Sequence, residues 1–319
     1  MSKLDRVVKG RIMRPVLILV YGPDGVGKSS FGSKAPKPIF FGPESGTDHL
    51  DVCRYPEPRN WKDVLDGLDD LIKTPHDYHS LVVDSLDWIE PLLFAQIIHD
   101  DAKGAKTIET ACGGYGKGYV EAEKRWKDEF IERLNMLRAH RKMNIILVAH
   151  SDVVNFPDPQ SQTEYKRYEL KLNKRASAKF REWVDAVLFI TFQTFIKKDR
   201  DTNKVTTFGM GDRVMLTEKR PAYDAKNRYG LDHELPLEWD ELVAAIKRGQ
   251  PESLPAIKAR IDGQVSMIVD AELKMKVLET IAKANDDVPI LTKISERLYQ
   301  LQGEQSENKA IQETEEINY

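Results

Sequence analysis

The stretch VYGPDGVGKSSF, residues 20–31, decides how the rest of the chain is read. An apolar run, PVLILVY at 15–21, leads into a glycine-broken turn that closes on Gly27-Lys28-Ser29. A short, continuous apolar run of this kind is the pattern of a strand buried on both faces. Gly22-Pro23-Asp24-Gly25-Val26-Gly27-Lys28-Ser29 fits GxxxxGK[ST] at every position, between that strand and a short helix predicted for SSFGSKA. Glycines let successive backbone N–H groups converge on an anion at a helix start. On this pattern residues 22–30, Ser30 included, cradle the phosphates of a nucleotide. Lys28 reaches the β- and γ-phosphates, and the Ser29 hydroxyl holds Mg²⁺.

Further apolar runs follow at PIFF, SLVVD (80–84), MNIILVAH (143–150) and AVLFITF (186–192). Between them, residues 60–73 place Trp61, Val64, Leu65, Leu68, Leu71 and Ile72 at helical spacing, with Asn60 as a cap. A second helix is expected over 119–139. Strands alternating with helices predict an α/β fold with a mostly parallel central sheet flanked by helices. Residues 193–217 read as extended segments added antiparallel at the sheet edge. After about Trp239 the pattern turns helical. The expected organisation is a basic arm at 1–14, a core at 15–240, a helical region at 241–302 and an acidic, disordered tail at 303–319.

Three polar residues end predicted strands where they can meet the phosphates. Asp84 closes LVVD and is read as the second magnesium ligand. Glu44, in FFGPESG, is either the carboxylate that activates water or a solvated loop acid. His150 closes LVAH and is either a sensor of the γ-phosphate or a satisfied core histidine.

Composition limits the alternatives. The formal charge is −3, with no global nucleic-acid signature, but its distribution is uneven. Residues 163–181 carry seven basic groups against two acids, and residues 303–319 carry one against five. No stretch approaches the ~20 apolar residues of a membrane span, and the N-terminus lacks a signal peptide's apolar core. A cytoplasmic protein without membrane partners is expected. Cys53 and Cys112 form no CxxC, which argues against a zinc site or a disulfide framework.

The P-loop, Glu44, Asp84 and His150 together resemble the RecA-like P-loop ATPase core. That resemblance implies ATP and Mg²⁺ as cofactors and Glu44 as catalytic base. It also implies Asp48, four residues on, as a contact to adenine. His150 stands where RecA itself has a glutamine, which leaves its sensing role less secure. AKNRYG at 225–230 is similar to a segment of the RadA branch and to the Lys-x-Arg finger of DnaB-type helicases, with Tyr229 in place of phenylalanine. In those proteins such a finger reaches a neighbouring subunit's ATP, which implies a homo-oligomer, ring or filament, with Lys226 and Arg228 acting in trans.

Residues 15 to about 240 also resemble the Sak group of phage ATP-binding single-strand annealing recombinases. The features that carry this are GGYGKGY at 113–119 and RVMLTEKRPAYDAKNRYGL. That implies location in the host cell's cytoplasm, single-stranded DNA as partner and a single-strand-binding protein as a further one. The two loops expected to face DNA are basic and carry aromatic residues, as single-strand binders require. Lys117 lies in the first, and Lys166, Arg167, Lys171, Lys174 and Arg175 in the second. The same tyrosines would also suit a subunit interface.

The reading that joins these features is an ATP-hydrolysing recombination protein that promotes annealing or strand exchange. Its rivals are a non-hydrolysing, ATP-gated DNA-binding module, a P-loop kinase and a helicase-loader-type motor.

Overall fold

The computed structural model describes residues 7, 12, 14–43, 46–157, 164–193, 195–198, 205–208, 211–248, 254–268, 270–287, 290–291, 293–295 and 297–298. At its centre is strand β1 (Leu17–Gly22), buried along its whole length. It lies between β5 (Asn144–Pro157) and β7 (Ala186–Phe192), parallel to both. Beyond β5 follow β4 (Ser80–Val83), β2 (Pro38–Phe41) and the short β3 (Cys53–Arg54), all parallel. Beyond β7, β10 (Arg213–Leu216) and β12 (Glu234–Pro236) add antiparallel, and β11 (Lys226–Asn227) pairs with the opening residues of β7. The strand order is therefore β12-β10-β7-β1-β5-β4-β2-β3.

Alternation along β1 divides the core in two. Leu17, Leu19 and Tyr21 pack on one face with residues of α2 (Trp61–Lys73), α3 (Leu86–His99), α4 (Lys117–Arg125), α5 (Glu132–His140) and α6 (Lys174–Trp183). Ile18 and Val20 pack on the other with Phe31 of α1 (Lys28–Ser33) and with Trp239, Leu242 and Ile246 of α7 (Trp239–Arg248). Successive strand side chains point to opposite faces, so one apolar run supplies both layers. The expected α/β sheet with flanking helices is thus observed. Asn60 caps α2 as read, its Oδ1 accepting from the Asp63 N–H at 2.9 Å. The helix expected over 119–139 is α4 and α5 joined through a π-helical turn, Trp126–Ile131, whose Trp126 meets Trp61 edge-on at 5.3 Å.

Two features differ from the sequence reading. Strand β5 does not stop at His150 but runs on to Pro157 and folds back as β6 (Glu164–Leu170), a hairpin paired from Ser151↔Leu170 to Pro157↔Glu164. Of the segments expected at the sheet edge, β10 is there, whereas β8 (Phe195–Lys198) and β9 (Val205–Phe208) pair only with each other.

The chain divides into two compact units, residues 1–247 and 248–319. Most of α7 falls in the first, so the core reaches past residue 240. The second unit contains α8 (Leu254–Ser266) and α9 (Ala271–Lys283) around Ile257, Ile261, Val265 and Leu291. The expected acidic tail, residues 303–319, and most of the basic arm lie outside the described residues. No helix among the described residues is long and apolar enough to cross a membrane.

Candidate nucleotide site

The turn between β1 and α1 has the backbone its glycines allow. Gly25 and Gly27 adopt φ of 70° and 98°, the left-handed region that side chains disfavour. Gly22 is needed for a different reason: a Cβ there would lie 2.2 Å from the Ile190 carbonyl oxygen of β7. Lys28 is buried and its Nζ donates to the Gly22 and Pro23 carbonyls at 3.0 and 2.8 Å, which holds the ammonium inside the turn. Ser29 and Ser30 follow in the first turn of α1, and Asp24 stands exposed at the loop tip.

Strand register brings the other polar residues to the same sheet edge. Gly22 is opposite His150, Leu147 opposite Val83, and Val83 opposite Phe41. Asp84, just past β4, is buried and its N–H donates to the Phe41 carbonyl at 2.9 Å. Gly42 permits this closeness, since a Cβ there would sit 2.0 Å from the Asp84 carbonyl oxygen.

Ser29 and Asp84 offer hard oxygen donors, a set that suits Mg²⁺, which binds one or two protein oxygens together with substrate phosphates. Among the described residues no cluster of three or more His, Cys, Asp or Glu could hold a metal alone. The turn and donor set fit a magnesium nucleotide. Glu44 lies outside the described residues. Asp48 is exposed and lines a small hollow with Asp84, Arg54 and Tyr55.

His150 is held by a residue that sequence reading missed. Asp87, in the first turn of α3, accepts from His150 Nδ1 at 2.9 Å and from its backbone N–H at 3.0 Å. Burial raises the Asp87 carboxyl, but these bonds outweigh it and hold the group below the usual range. The bond to Nδ1 turns Nε2 towards the loop, 3.5 Å from Asp24 Oδ1.

One turn further along α3, Glu90 is also buried, and its carboxylate accepts from the Asn173 N–H at the start of α6 at 3.0 and 3.2 Å. Residues 150 and 173 flank the β5–β6 hairpin, so two acids of one helix hold its two roots. The signal for them was faint: D and E three residues apart, directly after Asp84.

The basic residues divide. Lys117, Lys166, Lys171, Lys174 and Arg175 are exposed, Arg175 pairing with Glu123 at 3.2 Å. Arg167 is only 3% exposed and pairs with Glu169 and Asp224 at 3.1 and 3.3 Å, its guanidinium lying over the Phe156 ring. That corrects the expectation that Arg167 faces DNA. It sits on a strand, where alternation exposes Lys166 and turns the next side chain inward. Tyr168 likewise packs on Phe189.

Lys226 is similarly occupied. Its Nζ donates to the Arg181, Glu182 and Val184 carbonyls at 2.6 to 2.8 Å, closing the C-terminal end of α6. Burial, and then the charge of Arg228, lower its pKa. The Arg228 side chain is 54% exposed, with one bond to the Glu182 carbonyl at 3.1 Å.

Comparison with known proteins adds the following. A family model described as an AAA domain matches residues 14–229. A search of curated proteins gave no match. Among solved structures, the chain is similar to a crystal structure of the RadB recombinase, 14% identical, with a TM-score of 0.33, over 69% of this chain and 89% of that one.

Proposed function

The chain belongs to the AAA-domain family, its model matching well over half of the residues, and from that premise we propose an ATPase that acts on single-stranded DNA in phage-type recombination. Its sites lie between subunits of a homo-oligomer. One observation carries the proposal: the strand end that brings His150 to the phosphate loop is the root of a hairpin and helix bearing Lys166, Lys171, Lys174 and Arg175. Nucleotide and polymer would thus be read by two parts of one strand.

In this reading Lys28 leaves the Gly22 and Pro23 carbonyls to meet the β- and γ-phosphates. Ser29 and Asp84 hold Mg²⁺, which bridges the phosphates and neutralises their charge when bound. Glu44 orients and deprotonates the attacking water, and His150, its ring fixed by Asp87, meets the γ-phosphate through Nε2. Positioning and charge neutralisation do most of the work of phosphoryl transfer. Annealing or strand exchange is the assigned outcome, with a single-strand-binding protein as a further partner.

The test is ATP turnover by the purified protein with Mg²⁺, with and without single-stranded DNA. Stimulation by DNA is expected, together with loss of activity in Lys28→Ala. Glu44→Gln should bind ATP and stall. Binding without turnover would instead support an ATP-gated binding module.

A further inference from the structure

We propose that the nucleoside half of the bound nucleotide sits in the cavity between α1 and the β7–β10–β12 edge, on the side of the phosphate loop away from Asp84. This rests on the nucleotide reading above and names where base and ribose are recognised. The cavity is about 580 Å³, within the ~300–1,000 Å³ usual for small-molecule sites. Gly27, Ser30 and Phe31 form one wall, Arg213 and Leu235 another, with the paired Gln193 and Glu234 between.

Sheet order supplies the direction. A P-loop cradles the α- and β-phosphates, while the metal bridges the β- and γ-oxygens. Asp84 ends β4, two places from β1 on one side, so the terminal phosphate points that way. The α-phosphate and everything beyond it then lead to the other side, where β7, β10 and β12 lie. The cavity opens there, directly against the loop's last glycine.

Its lining suits a nucleoside. Arg213 overhangs the loop so closely that a Cβ on Gly27 would lie 2.7 Å from its Nη1. Among the described residues Arg213 forms no ion pair; its guanidinium lies 5.7 Å from the Phe192 ring centroid. A guanidinium plane stacks on flat aromatic systems, and a base is one. Gln193 Nε2 donates to Glu234 Oε1 at 3.0 Å, which leaves the Gln193 carbonyl and the other Glu234 oxygen as acceptors for amino or hydroxyl donors. Phe31, Leu235 and Leu237 supply an apolar surface. Asp48, the residue that the family resemblance assigns to adenine, lies by Asp84 at the opposite side, in a hollow of about 30 Å³.

Two measurements test this. Unmodified protein is photolabelled with 8-azido-ATP and the labelled peptide mapped. Label within 193–238 is expected; label within 46–57 would overturn the assignment. In parallel, binding of Mg–ATP and of Mg–tripolyphosphate is compared across variants. Arg213→Ala and Glu234→Ala should lose ATP affinity, by roughly tenfold for the arginine, and keep that for tripolyphosphate. Lys28→Ala should lose both. Unchanged ATP affinity in Arg213→Ala and Glu234→Ala, with Lys28→Ala impaired, would overturn the pocket alone. Unchanged affinity in Lys28→Ala would overturn the phosphate site on which the pocket depends.

Discussion

At the scale of single residues, Glu90 gives the most direct test of the buried acids on α3. Burial, with Asp87 one turn away adding a like charge, pushes its carboxyl up to about 7, against the pull of the Asn173 N–H. The folded protein therefore keeps this proton to higher pH than the unfolded chain. Stability is full below the unfolded value near 4.5 and is lost as pH rises towards 7. A gap of that size corresponds to about 3 kcal/mol at pH 8. Glu90→Gln keeps an acceptor for Asn173 and removes the titration. Its thermal midpoint should match wild type near pH 4.5 and exceed it by several degrees at pH 8. A difference that does not vary with pH would show that Glu90 is not buried as an acid. Neither Asp87 nor Glu90 was legible in the sequence. Helix α3 is apolar on nearly every side and carries Pro91, so no amphipathic stripe marked it as a helix or assigned its acids a face. The phosphate loop was legible for the opposite reason: its chemistry lies in the backbone, and glycine positions fix that locally.

At the scale of elements, the hairpin changes what the basic segment can do. The sequence reading treated 163–175 as one loop with a uniform basic track. A strand imposes alternation, and with it Arg167 and Tyr168 become packing residues. The surface that remains is Lys166, Lys171, Lys174 and Arg175, on β6 and the start of α6. Changing these four to Ala should weaken single-stranded DNA binding and flatten its salt dependence. Each lost phosphate contact removes about 0.7 from the log–log slope, because fewer counterions are released. Arg167→Ala should behave differently. It leaves Glu169 and Asp224 without that buried cation, so it should lower the thermal midpoint and leave the slope alone. An unchanged slope in the fourfold variant would place DNA elsewhere. The main strands were readable because continuous apolar runs mark buried parallel strands. The extension of β5 was not, since SDVVNF leaves the sheet for solvent and has no core to write its pattern.

At the scale of the whole molecule, the question is whether the site is complete within one chain. Lys226 and Arg228 were read together as a finger for a neighbour's phosphate. In the folded chain they have unequal freedom. Lys226 closes α6 with three carbonyl bonds, and helix C-terminal carbonyls favour a cation. Arg228 keeps more than half of its side chain in solvent. We therefore predict that the two separate on mutation. Lys226→Met should lower stability by about 2 kcal/mol, as expected for bonds from a charged donor, seen as an earlier denaturant midpoint with an unchanged slope. Arg228→Ala should leave the midpoint alone and retain ATP binding, yet lose DNA-stimulated turnover. A cationic finger in trans is worth a factor of about 10³–10⁵ in rate. Mixing Arg228→Ala with Lys28→Ala then becomes decisive. Each protein is inactive alone, but across some interfaces of a mixed assembly an intact Lys28 meets an intact Arg228, and turnover should return in part. Normal hydrolysis by Arg228→Ala would refute the finger. So would silence in a mixture whose co-assembly is demonstrated, because an arginine that acts only within its own chain cannot be supplied by a neighbour.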